Sequence, residues 1–429
     1  MAIADVVHAE PTAPRIPLAS EGVQPQPRVL YLSHDGALEP LGQSQVLPYL
    51  RGLALRGAAI TLLSFEKPHD LQDAGRVESL RRTLQEAGVR WIPLRYHGRP
   101  ALLGILWDLA AGTRRARRII RRERVDIVHA RSDLAALMAW WLKRGLGVRF
   151  LFDMRGFWAD ERLECGRRFS GLLYRLTKRL ERRWLLDADE VITLTHQARR
   201  TVESWLNGRG PAVTVIPTCV DLERFTLTAA RPMPGRAPVF IYAGSIAPWY
   251  LPGELLRWIG QARRRWPEAR LVLVSRQRDA ALSVLRESGV DPEAVEVVSA
   301  EPAEIPCWLA QADAGLAFYQ PGFSRQGTCP TKIGEYLATG LPVIVNTGVG
   351  DVDEVIGGGR VGVVLPNFSA EVFAGAMDRL EELWQDPALR SRCRTLAEQT
   401  CALELGVARY WTLYARSAPP AAASGRRRA

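Results

Sequence analysis

CPTKIGEYLATGLPVIVN, residues 329–346, reads as a helix start, a helix, a stop and a buried strand in one short stretch. Pro330 and Thr331 suit the first positions of a helix, and Gly340 suits its end. LPVIVN (341–346) is a continuous apolar run, the pattern of a strand covered on both faces. The free N–H groups at such a helix start attract phosphate. Lys332 falls in the first turn, and Glu335 follows on nearly the same face, with about 5–6 Å between Cβ atoms. A cation with amide groups for a diphosphate, then a carboxylate for ribose hydroxyls, makes a grip for a nucleotide sugar. The lysine itself is conspicuous. Of 57 basic residues only Lys67, Lys143, Lys178 and Lys332 are lysines.

The same helix–strand rhythm extends in both directions from this stretch. Toward the N-terminus, apolar runs at 29–33, 59–65, 89–94, 125–130, 149–154 and 190–195 read as strands. Helices fit the gaps at about 44–57, 72–88, 102–123, 133–144, 167–187 and 196–207. The rhythm breaks around VTVIPTCVDLERF (213–225) and RPMPGRAP (231–238), then a second series begins at 239–244, 269–275, 294–299, 314–319, 341–346 and 360–365. Strands alternating with helices imply parallel winding, here in two α/β domains of similar size. The boundaries read as 28–218 for the first domain and 219–385 for the second. A helical segment over 386–416 is expected to pack back toward the first domain. Residues 1–27 and 417–429 are rich in Pro, Ala or Arg without a period, and are expected to be disordered.

Ligands of open α/β sheets sit beyond the carboxyl ends of the strands. In the first half those positions hold Gly42, Gln43 and Ser44; then His129 and Arg131; then Asp153, Arg155, Asp160 and Glu161. In the second half they hold Gly244, Ser245, Arg276, Arg325, Thr331 and Tyr336, with Lys332 and Glu335 on the helix already described. Two such ends facing each other would form a cleft for two substrates.

Composition narrows the classes. The chain has 429 residues, 47% apolar and 24% charged, the balance of a globular protein. No run of 18 apolar residues is present, so no membrane-spanning helix is expected. The N-terminus lacks a basic and an apolar region in tandem, so no signal peptide is expected. Six scattered cysteines and six scattered histidines show no metal-ligand spacing, and no metal site is expected.

These motifs resemble the retaining glycosyltransferases of the GT-B fold, family four. The resemblance is carried by PTKIGEYLATGLPVI, by VIPTCVDLERF at the domain junction and by YAGSIAPWY at the start of the second series. In the first half it is carried by LGQSQVLPYLRGLALRGAAITLLSFEK and FDMRGFWADER. It covers about residues 28–415. It implies two Rossmann-like domains facing a central cleft, and transfer of a sugar from a nucleotide-diphosphate donor to an acceptor with retention and without metal. The donor would lie on the second domain, bound by Glu335, Lys332, Thr331, Gly244, Ser245, Arg276, Arg325 and Tyr336. The acceptor would lie on the first, at Gly42, Gln43, Ser44, His129, Arg131, Asp160 and Glu161.

Arg155, Lys332 and Asp153 would carry the chemistry. Glu335 matches the second glutamate of the family's E-x7-E signature, while Gly327 stands where the first would fall. Ser245 and Tyr250 occupy places where the family often carries an Arg and a Lys for the diphosphate. Arg155 stands where a histidine often follows the fifth strand. A nucleotide-sugar epimerase, or a catalytically silent scaffold subunit of the same fold, would share much of this pattern.

The net charge is +11. Residues 114–124 hold seven arginines and one acid, directly after the apolar ALLGILWDLAAG (101–112). Residues 162–183 hold eight basic residues against two acidic ones. An apolar segment followed by an arginine cluster suits an anionic membrane surface. No nucleic-acid-binding motif accompanies the charge, so nucleic acid is not expected as a partner. The expectation is a peripheral enzyme at the inner face of the cytoplasmic membrane, acting on a glycan or polyprenyl-linked acceptor.

Overall fold

A computed structural model describes residues 26–98, 101–166, 171–227 and 236–416. The disorder expected for 1–27 and 417–429 falls almost wholly outside these residues. Seven strands form the first sheet: β1 (Arg28–Ser33), β2 (Ala59–Glu66), β3 (Val89–Arg95), β4 (Ile127–Arg131), β5 (Arg149–Asp153), β6 (Glu190–Thr193) and β7 (Val213–Val215). Six form the second: β8 (Val239–Ala243), β9 (Arg270–Val274), β10 (Val295–Val298), β11 (Ala314–Ala317), β12 (Val343–Asn346) and β13 (Gly362–Leu365). Their orders are β3-β2-β1-β4-β5-β6-β7 and β10-β9-β8-β11-β12-β13, and the pairs within both sheets are parallel.

The first domain carries α1 (Pro40–Gln45), α2 (Leu47–Leu55), α3 (Pro68–Gln72), α4 (Ala74–Glu86), α5 (Ala101–Glu123), α6 (Ser132–Leu146), α7 (Trp158–Glu164), α8 (Gly171–Asp187) and α9 (His196–Leu206). The second carries α10 (Pro252–Arg265), α11 (Arg278–Ser288), α12 (Ile305–Leu309), α13 (Thr331–Ala338) and α14 (Ala370–Gln385). α15 (Leu389–Thr400) and α16 (Leu403–Ala415) follow. Continuous apolar strands need cover on both faces, and each sheet has a core on either side.

The short helices α3 and α7 are absent from the sequence reading, and three further regions differ from it. The break read at 213–225 contains β7, which pairs with β6 and closes the first sheet; three residues are too short to carry a period. The helix read over 44–57 is two helices, divided at Val46. The segment 386–416 also divides. α15 rests on α13 and joins the second domain's core through Leu389, Cys393 and Ala397. Only α16 reaches the first domain, where Val407, Tyr410, Leu413 and Tyr414 join its core beside α2. A parallel bridge between Val220 and Ala402 ties the outgoing and returning chains together at the junction.

The strand order reverses at β1, between β2 and β4, and again at β8, between β9 and β11. Such reversals splay the flanking loops apart and open a crevice at the carboxyl edge. The two crevices of this molecule face each other.

Candidate active site

Between them lies a cavity of about 510 Å³. Its first-domain wall includes Asp35, Ser44, Gln45, Arg131, Arg155, Trp158 and Glu161, and its second-domain wall includes Gly244, Ser245, Tyr250, Tyr319, Arg325, Thr331, Lys332 and Glu335.

Lys332 stands in the first turn of α13, with Nζ buried and without a hydrogen-bond partner. It sits in an aromatic cage, 3.7 Å from the ring centroid of Tyr242, 4.9 Å from Tyr250 and 5.9 Å from Tyr319. Burial pulls its pKa down to about 7, against the pull of Glu335. Gly244 makes room for it: at φ +154 its added Cβ would lie 2.7 Å from Nζ. Tyr250, which holds a place where the family often has a cation, is thus one wall of the cage around the cation present. Burial likewise pushes Glu335 up to about 7, opposed by Arg224 and Lys332.

The opposite wall is wired by ion pairs. Burial would weaken the charge of Arg155, but Asp153 outweighs it and raises the guanidinium's pKa. Arg155 Nη1 lies 3.5 Å from Asp153 Oδ1, and Nη2 donates to Gln45 Oε1 at 3.2 Å and to Thr218 Oγ1 at 3.4 Å. Burial alone would raise the Asp153 carboxyl; Arg155 and His129 reverse this and hold it below the usual carboxylate range. Behind it, Tyr410 O–H donates to Asp153 Oδ2 at 3.0 Å, and His129 bridges Asp153 (3.4 Å) and Tyr414 (2.7 Å). Burial pulls His129 below its ordinary value, toward the neutral ring.

Gln45 joins the walls. Its Oε1 accepts from both Arg131 (2.8 Å) and Arg155, while its Nε2 donates to Thr331 Oγ1 at 2.8 Å across the cleft. Other contacts hold the domains together: Arg325 with Glu161 at 3.7 Å, and Asp351 accepting from the N–H groups of His196 (2.7 Å) and Gln197 (3.1 Å).

Arg155, Lys332, Glu335, Thr331, Gly244, Ser245, Arg325, Ser44, Arg131 and Glu161 therefore share one cavity. Seven other residues read as site groups do not line it. Asp153 and His129, each 1% exposed, lie behind Arg155 as its support and are not part of the cavity lining. Asp160 is turned inward, accepting from Tyr174 (2.8 Å) and Lys178 (2.9 Å). Gly42 is packed under the backbone of Gly36 and Ala37, and Gln43 donates to the Ala37 carbonyl. Arg276 faces Glu301 at 3.8 Å, outside the cavity. Tyr336 is fully buried, accepting from Ala243 N–H at 3.0 Å.

Gln45, Asp35, Trp158 and Tyr319 are cavity residues that the sequence reading left out. Gln45 and Trp158 nevertheless fall inside LGQSQVLPYLRGLALRGAAITLLSFEK and FDMRGFWADER, two stretches that carry the resemblance. Gly327, where the family's first glutamate would fall, abuts the first domain: an added Cβ would lie 3.1 Å from Gly156 Cα and 3.3 Å from the Phe157 ring. Among the described residues, no group of three or more His, Cys, Asp or Glu is placed to hold a metal ion.

Two Rossmann-like domains with facing strand ends, cations on both walls and a carboxylate beside one of them define the GT-B class of sugar-transferring enzymes. Family models agree in both halves. Residues 42–219 match the glycosyl transferase 4-like domain, and residues 237–382 match the glycosyl transferases group 1. The chain belongs to the group 1 glycosyltransferases and is a glycosyltransferase.

Solved structures share the whole fold. Sucrose-phosphate synthase from Thermosynechococcus elongatus is 17% identical, with TM-score 0.69, covering 91% of this chain and 99% of its own. HepE of Anabaena in complex with UDP-glucose is 16% identical, with TM-score 0.67, covering 91% and 99%. A glycosyltransferase of Rickettsia africae is 14% identical, with TM-score 0.66, covering 91% and 98%. No curated protein matches the sequence.

Proposed function

We propose that the enzyme moves a sugar from a nucleoside-diphosphate sugar to a lipid-linked or polysaccharide precursor, with retention of configuration and without a metal. The observation that carries this reading is Lys332: an enclosed, partnerless ammonium beside a ribose-ready carboxylate, on the second-domain wall of the cleft. An incoming diphosphate supplies the anion that Lys332 lacks. Arg325 adds charge from the neighbouring turn, and the N–H groups of α13 add dipole.

Transfer then proceeds on one face of the sugar. The C1–O bond to the diphosphate breaks, its electrons pass to the phosphate oxygen, and the acceptor oxygen bonds to C1 on the same face. The acceptor proton passes to the departing diphosphate. The protein contributes geometry and preorganised charge. Arg155, fixed by Asp153, faces the leaving oxygens from the first domain. That Anabaena HepE forms a complex with UDP-glucose supports a uridine nucleotide here.

One face of the first domain favours an anionic membrane as the place of work. α5, α6 and α8 pack side by side. On α5, exposed Leu103, Leu106 and Trp107 precede exposed Arg114, Arg117, Arg118 and Arg121; on α8, exposed Leu172 and Leu176 alternate with Arg175 and Arg179. Apolar side chains with cations beside them suit an interface of anionic lipid. No helix among the described residues is long and apolar enough to cross a membrane.

Titration calorimetry with UDP- and GDP-sugars tests the donor. Saturable binding of one of them is expected, weakened about tenfold in Glu335→Ala by loss of charge-assisted hydrogen bonds worth about 1.5 kcal/mol. Absence of binding by every nucleotide sugar and nucleoside diphosphate refutes the reading.

A further inference from the structure

Arg131 ends β4 at the switch point of the first sheet and lines the cavity, yet it is only 3% exposed. Its Nη2 donates to Gln45, but Nε and Nη1 have no hydrogen-bond partner. The nearest carboxylate oxygen, Asp35 Oδ2, is 3.9 Å from Nε. A guanidinium removed from water with two nitrogens unsatisfied is costly. Arg155, its neighbour, has Asp153 as a dedicated counter-ion; Arg131 has none so close.

The next residue is strained as well. Ser132 has φ +68, a left-handed conformation unusual for a residue with a side chain. It opens α6, a helix of 15 residues whose first residues, Ser132 and Asp133, line the cavity. The helix start therefore points its amide dipoles to the place where Arg131 stands. Asp133 does not cancel this charge: burial, then the neighbouring Glu181, raise its pKa and favour the neutral carboxyl.

The second-domain wall has its own cations, Lys332 and Arg325, for the donor diphosphate. Gln45 separates the two groups, with Arg131 and Arg155 on its carbonyl oxygen and Thr331 on its amide nitrogen. One diphosphate at Lys332 leaves Arg131 with only the 3.9 Å contact to Asp35 and with Nε and Nη1 unsatisfied, and a neutral acceptor would leave it so.

We propose that the acceptor carries a phosphate, seated on Arg131 and the start of α6, next to the hydroxyl that receives the sugar. This rests on the donor reading above, and names the acceptor's chemical class. Arg131 then acts as a binding residue for the second substrate, selecting phosphorylated acceptors over neutral glycans.

The test is calorimetric titration of inorganic phosphate into the UDP-saturated full-length protein, so that the donor subsite is already filled. One further phosphate should bind. Arg131→Gln should weaken it at least tenfold and leave UDP affinity within twofold, which also reports an intact fold. Arg131→Lys should retain intermediate phosphate affinity. No phosphate binding to the UDP-saturated wild type overturns the proposal. So does undiminished binding by Arg131→Gln, or a loss of UDP affinity instead, which would assign Arg131 to the donor. If UDP does not bind at all, phosphate binding to the nucleotide-free protein that Arg131→Gln abolishes would sustain the subsite, and only the donor reading would fall.

Discussion

The two walls of the cleft hold their cations in opposite ways. On the first domain, Arg155 is locked by a buried carboxylate that is itself held by His129 and Tyr410. On the second, Lys332 touches aromatic faces alone, and burial has drawn its pKa down to about 7. The locked arginine keeps its charge whether or not a ligand is present. The caged lysine gains its full charge when an anion arrives. One wall is built for constancy and the other for response.

Lys332→Met should break the responsive wall. Turnover is expected to fall about 10²–10³-fold, the usual cost of losing one preorganised group at a developing anion. Melting temperature should rise, because the buried ammonium is no longer desolvated without a partner. Steady-state kinetics and a thermal melt check both. Loss of turnover without a rise in stability would show that the cage costs the empty protein nothing.

Asp153→Asn should break the constant wall, mainly through stability. Removing one partner of a buried ion pair costs on the order of 3 kcal/mol, readable by urea denaturation. Wild-type stability in that variant would mean that Arg155 needs no counter-ion.

The smallest expected effect comes from pH and sharpens the contrast. UDP affinity should fall by about tenfold between pH 6.5 and 8.5 as Lys332 loses its proton, a change worth about 1.4 kcal/mol. In Lys332→Met this slope should flatten. The sign for stability is the reverse. Between about 7 and 10.5 the unfolded chain keeps a lysine proton that the folded one has lost. This group's contribution to stability therefore rises with pH. A pH slope unchanged by Lys332→Met would move the titration to Glu335.

The responsive wall was the more legible one in the sequence. Lys332 and Glu335 lie three residues apart on one helix, and an arginine-rich chain made that lysine stand out. The constant wall was not. Asp153 reads as a catalytic residue and His129 as an acceptor contact, because the residues that occupy them, Tyr410 and Tyr414, lie 257 and 285 positions along the chain. Nothing local distinguishes a carboxylate that meets substrate from one that supports an arginine. Gln45 shows the same limit: a glutamine in a short helix carries no signal until three partners from both domains converge on it. The strands were readable because burial on both faces leaves long apolar runs; β7, three residues long, left none.

The path of α16 bears on how the enzyme is made. The helix that supplies Tyr410 and Tyr414 to the first domain is translated after the whole second domain. A nascent chain ending at residue 402 has both sheets but lacks the hydroxyls that seat Asp153 and His129. Its α2 also exposes the surface that Val407 and Tyr410 cover once α16 is in place. Domains that emerge early on the ribosome usually fold as they appear. Here the earlier one stays unfinished until α16 emerges, so chains cut before that helix should be inert at the cleft and bare at α2.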